Sequence, residues 1–284
     1  MIPKEFNYVA PSTLDEALAA LRDGGDDAKA LAGGHSLIPM MKLRLAAPTM
    51  LVDLRRINEL RRVDTHNGNI EIGSMVTYRT LLNDESIQAA CSLLSECAAS
   101  IGDSQVRSRG TIGGSLAHAD PAADLPAAIL ALDATLLTTA GEIPAADFFT
   151  DLFTTSLEPG QIVTGVRVAR SSGKSGSAYV KIRNKASHYA LVGAAAVLSL
   201  DNDSTCNNAS IGITGAASKA FRLSAVEDAL KGTRLSDQDI EAALGNVGGL
   251  DVDWMEDLFG SADYRKHLTG VVTRRAIDTA KSRM

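Results

Sequence analysis

Ala28-Lys29-Ala30-Leu31-Ala32-Gly33-Gly34-His35-Ser36-Leu37-Ile38-Pro39-Met40-Met41-Lys42 is the stretch on which the reading of this chain turns. Ala28 to Ala32 reads as a short buried strand, Ser36 to Lys42 as a helical turn, and the diglycine as the tight connection between them. Glycine lacks Cβ, so two in succession let the backbone adopt positive φ and come close to a ligand. Strand, diglycine turn and helix N-terminus together present free N–H groups and the positive end of a helix dipole, which favours an anion. Thr111-Ile112-Gly113-Gly114-Ser115 repeats the pattern of two glycines beside a hydroxyl. Two such turns facing each other could hold a pyrophosphate between backbone N–H groups, with serine hydroxyls adding donors. Each pair alone is equally a turn that uses glycine for its own geometry, since the chain has 24 glycines. Neither is a Walker A loop, and G-x-G-x-x-G is absent.

Outward from the first turn, Phe6 to Ala10 reads as an edge strand. Thr13-Leu14-Asp15-Glu16 is a capping box for a helix through Arg22 that Gly24-Gly25 ends. Thr49 to Leu54 is a second apolar strand, completing a small α/β unit. Leu60 to Thr65 and Asn69 to Gly73 flank the hairpin signal His66-Asn67-Gly68. Thr77 is expected to cap a short helix, and Ile87 to Ala99 to form a longer one. Arg107 to Gly110 reads as polar loop before the second turn. Pro121 to Leu132 reads as helix, Ala134 to Thr139 as strand, Leu157 to Gly160 as turn and Ile162 to Val168 as strand. Ser171-Ser172-Gly173-Lys174-Ser175-Gly176 has linker composition. Beyond it, strands are expected at Ser177 to Ile182, Ala190 to Leu200 and Ala209 to Gly215. Helices follow near Ser224 to Lys231, Ser236 to Val247 and Ala262 to Ser282. The simplest arrangement is a three-stranded sheet covered by helices.

Composition narrows the function. With 45% apolar and 22% charged residues over 284 positions, the chain is an ordinary globular protein. A net charge of −6 and a pI of about 5.4 argue against a nucleic-acid footprint. No apolar run reaches the roughly 18 residues of a membrane span. Met1 to Phe6 lacks the apolar region of a secretory signal, so the expected compartment is the cytoplasm, or its inner membrane face by association. Cys91, Cys97 and Cys206 form no C-x-x-C, and buried, inert thiols are expected. Iron–sulfur clusters exchanging electrons with this protein would therefore lie on another chain.

The two motifs carry a resemblance. Ala32 to Pro39, followed by Met41-Lys42-Leu43-Arg44, resembles the first flavin motif of the FAD-binding medium subunits of molybdenum hydroxylases, the carbon monoxide dehydrogenase and xanthine dehydrogenase family. Thr111 to Ser115, then Ala119-Asp120-Pro121-Ala122-Ala123-Asp124-Leu125-Pro126, resembles the second. The opening Asn7 to Pro11, the length and the order of parts fit as well. The resemblance implies an α+β chain with a two-part FAD-binding region of the PCMH type over residues 1–173, its subdomains about 1–55 and 56–173. A C-terminal domain with a three-stranded antiparallel sheet and helices would span 177–284. It implies FAD in this chain, and molybdopterin and two [2Fe–2S] clusters in large and small partner subunits, assembled as a dimer of heterotrimers. Electrons would pass from the clusters through FAD to an external acceptor.

By the same resemblance, Ala32, Gly33, Gly34, His35, Ser36 and Leu37 hold FAD from one side, and Thr111, Gly114 and Ser115 from the other. Asp124 would accept from ribityl or adenosine hydroxyls; alternatively it is a helix-terminal charge near Pro126. Ile101 and Leu157 align with positions touching the flavin or adenine rings, or are core. Lys181 aligns with a lysine near the isoalloxazine, or belongs to a strand with a solvated face. Tyr189 is a lid over the ring or a core tyrosine. His118 and Asp120 receive no role. His35 also resembles the linkage residue of oxidases that hold FAD covalently, and a flavin-fold subunit without catalytic function is a further alternative. Gly113-Gly114-Ser115-Leu116-Ala117 approaches a nucleophile elbow but lacks its second glycine and a strand leading into it.

Overall fold

The computed structural model describes residues 2–170 and 173–284. The N-terminal unit is a parallel sheet in the order Asn7–Val9, Met50–Asp53, Ala28–Leu31. The helix Leu14–Gly24 makes the crossover. Its capping box is present: Glu16 N donates to Thr13 Oγ1 at 3.2 Å, and Thr13 N donates to Glu16 Oε2 at 3.3 Å. Gly25, at φ +63°, turns the chain out of the helix, and Ala17 and Leu21 pack in one core with Val52, Leu54 and Ile57. The strand Ala28–Leu31 is buried only at its ends. Lys29 and Ala30 are exposed because this is an edge strand beside a cleft, so the expectation of a buried strand is corrected.

The second unit holds a five-stranded antiparallel sheet, ordered Val63–His66, Asn69–Gly73, Val163–Ala169, Thr135–Thr138, Gly141–Pro144. Asn67 at φ +50° and Gly68 at φ +76° turn the expected hairpin, both in the left-handed region that a two-residue loop uses to match strand twist. Leu60 lies in a short 3₁₀ turn, Asn58–Arg61, instead of the strand. The long helix expected from Ile87 is two helices, Glu85–Ala90 and Ser92–Ser100, broken at Cys91 (φ −155°, ψ 74°). Arg107 to Arg109 end a helix, Ser104–Arg109, and not a loop: Asp103 caps it by accepting from Gln105 N and Val106 N.

In the C-terminal part, Lys174–Arg183, Ala190–Leu200 and Cys206–Thr214 form the expected three antiparallel strands, with a two-residue strand Phe221–Arg222 added at one edge. The linker expectation is corrected where it is described: Lys174, Ser175 and Gly176 already pair with Leu200, Ser199 and Leu198. Ser171 and Ser172 lie outside the described residues. Both faces of this sheet are covered. Ala178, Ala194, Ala196 and Leu198 pack with Leu268, Val272, Ala276 and Ile277 of the helix Ala262–Lys281. Tyr179 and Ala195 point the other way, into the core of the second unit. Burial on both faces explains why Ala190 to Leu200 reads as a continuous apolar run of small residues.

Candidate functional site

A cleft of about 710 Å³ opens where the three units meet, within the range of roughly 300–1,000 Å³ seen for small-molecule sites. Ala32 to Leu37 line one wall, with Thr111, Gly114 and Ser115 opposite. Ile101, Leu157, Asp124 and Tyr189 complete it, so every candidate residue except Lys181 faces the cleft.

The first turn is built as an anion cradle. Gly34 sits at φ +75°, in the left-handed region. The helix Leu37–Lys42 leaves it, with Ile38 N donating to Gly34 O at 3.1 Å. Among the described residues, the N–H groups of Gly33, Gly34, His35 and Ser36 donate to no protein acceptor. Four free donors on one turn suit a multiply charged oxyanion. Gly33 does something different: a Cβ there would lie 2.1 Å from the Arg109 carbonyl oxygen and 3.0 Å from Gly110 Cα. It is the point at which the two motif segments touch.

The second turn is not a loop of positive φ. Thr111 caps the helix Ile112–His118, and both glycines are helical. Their N–H groups are already engaged, Gly113 with Ser74 O at 2.9 Å and Gly114 with Thr111 Oγ1 at 3.1 Å, while Ser115 N donates to Thr111 O. Glycine is needed for closeness: a Cβ at Gly113 would meet Ser74 Cβ at 2.3 Å, and one at Gly114 would meet Thr111 Oγ1 at 2.7 Å. Gly110 likewise lies flat against the Tyr78 ring. What this wall offers the cleft is the O–H of Thr111, the hydroxyl of Ser115 and a surface without side chains. Ser115 stands inside a helix that follows another helix, which removes the strand-to-helix elbow of an acyl hydrolase.

Asp124 lies at the start of the helix Leu125–Ala131 but caps nothing. Its carboxylate turns to the C-terminal sheet instead. Tyr179 donates to Oδ1 at 2.5 Å and Lys181 to Oδ2 at 2.8 Å, across 55 and 57 residues of chain. Asp124 and Lys181 side chains are each only 6% exposed, so this is a buried ion pair. Burial pushes the Asp124 carboxyl above its usual value, opposed by Lys181 and by the Tyr179 bond. Burial and the neighbouring Asp124 charge hold the Tyr179 phenol far above its own. Lys181 also donates to His188 O at 2.8 Å, fixing the loop that carries Tyr189 to the cleft. Tyr189 is 45% exposed there, as a cleft-wall residue and not a core tyrosine. The lysine thus stands behind the wall, and neither a solvated strand face nor direct lining describes it.

The tail of the second motif rests on the C-terminal part as well. Gly215 N donates to Pro121 O at 2.6 Å, and the Thr214 hydroxyl lies between the carbonyls of Pro121 and Ala123. Ile101 and Leu157 are half-buried, with the core of the second unit on one side and the cleft on the other. His35 is exposed, its Nδ1 3.4 Å from Gly33 O. His118 stacks on Phe153 with ring centroids 5.1 Å apart, and Asp120 Oδ1 accepts from Ala122 N. Cys91, Cys97 and Cys206 are buried and free, and burial pushes the Cys91 thiol up to about 12, so none stands as a ready thiolate.

Two contributors escaped the sequence. Tyr179 could have been found, because it stands two residues from Lys181 and strand alternation puts both on one face. Tyr78 carries no local signal; only the fold brings its ring against Gly110.

Comparison with known proteins agrees with this geometry. Residues 4–170 match the FAD binding domain in molybdopterin dehydrogenase, and residues 177–280 the CO dehydrogenase flavoprotein C-terminal domain. The 6-hydroxypseudooxynicotine dehydrogenase complex subunit alpha of Paenarthrobacter nicotinovorans is 38% identical, with 100% of this chain and 97% of that protein covered. The carbon monoxide dehydrogenase medium chain of Hydrogenophaga pseudoflava is 37% identical, covering 100% and 99%. A solved carbon monoxide dehydrogenase from Hydrogenophaga pseudoflava superposes with a TM-score of 0.95 at 39% identity, over 100% of this chain and 99% of that one. By both matched regions, by identity over the full length and by fold, the chain belongs to the FAD-binding medium subunits of the molybdenum hydroxylases, an oxidoreductase family.

Proposed function

We propose that the cleft holds FAD non-covalently, with its pyrophosphate on the N–H groups of Gly33, Gly34, His35 and Ser36. The observation that carries this is the left-handed turn at Gly34, with four donors that lack a protein acceptor among the described residues. Ala32 and Leu37 flank that turn. Thr111 and Ser115 donate hydroxyls from the opposite wall, and Gly114 lets the ligand approach it. Asp124 keeps lone pairs for ligand hydroxyls after accepting from Tyr179 and Lys181. Ile101 and Leu157 pack against the rings, Tyr189 covers them, and Lys181 acts through Asp124 and the His188 loop. When bound, FAD supplies electron exchange between one-electron and two-electron partners.

The chain then serves a complex, passing electrons from [2Fe–2S] clusters of a small subunit to an external acceptor, while a large subunit carries molybdopterin and oxidises the substrate. Supporting this, the relatives are a medium chain and a complex subunit. The flavin region is 1–173, in parts about 1–55 and 56–173, with the C-terminal domain at 177–284. We further place the assembly in the cytoplasm as a dimer of heterotrimers, and fractionation tests whether it also sits at the inner membrane face. No described helix is long and apolar enough to cross a membrane.

Acid precipitation of the purified complex tests the flavin assignment. FAD in the supernatant is expected. Flavin kept on the denatured chain would point to a His35 linkage, FMN would remove the pyrophosphate from the argument, and no flavin would leave a non-catalytic subunit. Native mass measurement of the complex tests the stoichiometry.

A further inference from the structure

The second wall of the cleft is two segments deep. Ser74 to Tyr78, which follows the strand Asn69–Gly73, runs antiparallel to Gly110 to Gly113, with a bridge between Thr77 and Thr111. Three backbone bonds lace the segments: Gly113 N donates to Ser74 O at 2.9 Å, Ile112 N to Val76 O at 3.0 Å and Tyr78 N to Gly110 O at 3.0 Å. Two glycines make room for two side chains. A Cβ at Gly113 would stand 2.3 Å from Ser74 Cβ, and one at Gly110 would stand 2.4 Å from Tyr78 Cε2. Ser74 and Tyr78 both line the cleft, although they are only 3% and 9% exposed.

The Ser74 hydroxyl is not used by the protein. Its Oγ is sealed from water and has no hydrogen-bond partner among the described residues. The two other atoms in that condition, Arg265 Nε and Thr273 Oγ1, belong to residues away from the cleft. An orphaned buried hydroxyl costs free energy that an acceptor would recover. Ser74 N donates to Thr164 O at 2.9 Å and Ser74 O accepts from Gly113 N, so its backbone is pinned on two sides. Rotation about χ1 is the freedom left to the hydroxyl, and the cleft is where an acceptor can enter. Burial holds the Tyr78 phenol well above its ordinary value, with the Ser115 hydroxyl beside it opposing the rise. The phenol therefore stays protonated, as a donor.

We propose that Ser74 and Tyr78 are further ligand-binding residues of this cleft, their O–H groups donating to oxygen acceptors of the bound dinucleotide. This rests on the FAD reading above. Neither residue belongs to a glycine motif, so the second wall binds through a segment that no motif marks. Its glycines at 110 and 113 serve this indirectly, by admitting the two side chains that carry the donors. The competing account is a trapped water on Ser74 and a tyrosine kept for its ring, and it predicts no change in flavin affinity when the hydroxyls are removed.

The experiment titrates FAD into the flavin-free, full-length chain by flavin fluorescence, with the melting temperature of the flavin-free chain measured beside it. Ser74→Ala and Tyr78→Phe each remove one hydroxyl and keep the packing against Gly113 and Gly110. Each should raise the FAD Kd about two- to tenfold. The flavin-free melting temperature should hold for Tyr78→Phe and rise for Ser74→Ala, because the orphaned hydroxyl is gone. A packing role would not lower affinity while leaving stability equal or higher. The proposal is overturned if the double variant binds FAD with wild-type affinity, or if its affinity and its flavin-free melting temperature fall together. Wild-type chain that binds FAD, beside a double variant that binds it equally well, defeats the role of the two hydroxyls alone. Wild-type chain that takes up no FAD, alone or with its partner subunits, defeats the functional reading, and the two hydroxyls lose their acceptor with it.

Discussion

The two diglycine turns look alike in sequence and do opposite work. At Gly34 the backbone turns left-handed, and among the described residues the N–H groups of residues 33 to 36 have no protein acceptor. At Gly113-Gly114 the backbone is helical and its N–H groups are taken. The first pair shapes a turn whose donors are free for the anion proposed above. The second is fit: its glycines let a helix lie on Ser74 and let Thr111 cap it. The difference teaches that a diglycine reports a missing Cβ. Whether that absence serves φ, ligand or packing depends on what lies within 3 Å.

The contrast predicts that substitutions in the second motif and its tail act first on stability, and those in the first turn first on binding. The largest effect is expected at Asp124. Asp124→Ala leaves the Lys181 ammonium buried without its carboxylate, which should cost about 3–5 kcal/mol in urea unfolding of the flavin-free chain. Asp124→Leu with Lys181→Met should recover most of it; no recovery would show that the pair does more than neutralise itself. Next is Gly113→Ala, whose Cβ would stand 2.3 Å from Ser74 Cβ and 2.8 Å from Ser74 Cα. Overpacking of about 1–3 kcal/mol is expected, visible without flavin. Loss of FAD at unchanged flavin-free stability would reverse the role given to this turn.

Gly34→Ala comes third. Left-handed backbone costs a residue with Cβ about 1–2 kcal/mol, and Ile38 Cγ1 would lie 3.1 Å away. Relief of that strain would turn the donors away from the ligand, so flavin content should fall further than stability does. A variant with full FAD content would break the comparison at its first term. Smallest is Ser36→Ala. The Ser36 hydroxyl makes no cap bond to its own helix, so stability should hold, and FAD affinity should fall by one hydrogen bond, about 0.5–1.5 kcal/mol. Fluorescence titration with FAD resolves a change of that size.

Local signals in the sequence carry much of the fold. The Thr13–Glu16 capping box and the Asn67-Gly68 hairpin stand as expected because each is set by contacts within a few residues, and the three strands after residue 173 stand because their apolar runs are legible along the chain. The sequence pattern does not show the break at Cys91, where a helical pattern runs on, nor the helix ending at Arg109, whose polar composition hides a local cap at Asp103. The sequence gives Lys181 either a place near the ligand or a solvated strand face, and it carries no sign of the Asp124 contact that the fold makes.

By itself, the sequence determined where donors and glycines stand, which segments are strands and helices, and the family, since these follow from short-range pattern and paired motifs. Only the tertiary structure decided what each glycine is near, how Tyr179 and Lys181 meet Asp124 across more than fifty residues, and that a buried Arg265 joins Asp257 to the carbonyls of Leu191 and Gly215. The physical reason is range: φ, capping and alternation are properties of neighbours in the chain, while the cost of a Cβ or of a buried charge is set by atoms that the chain brings close only after it folds.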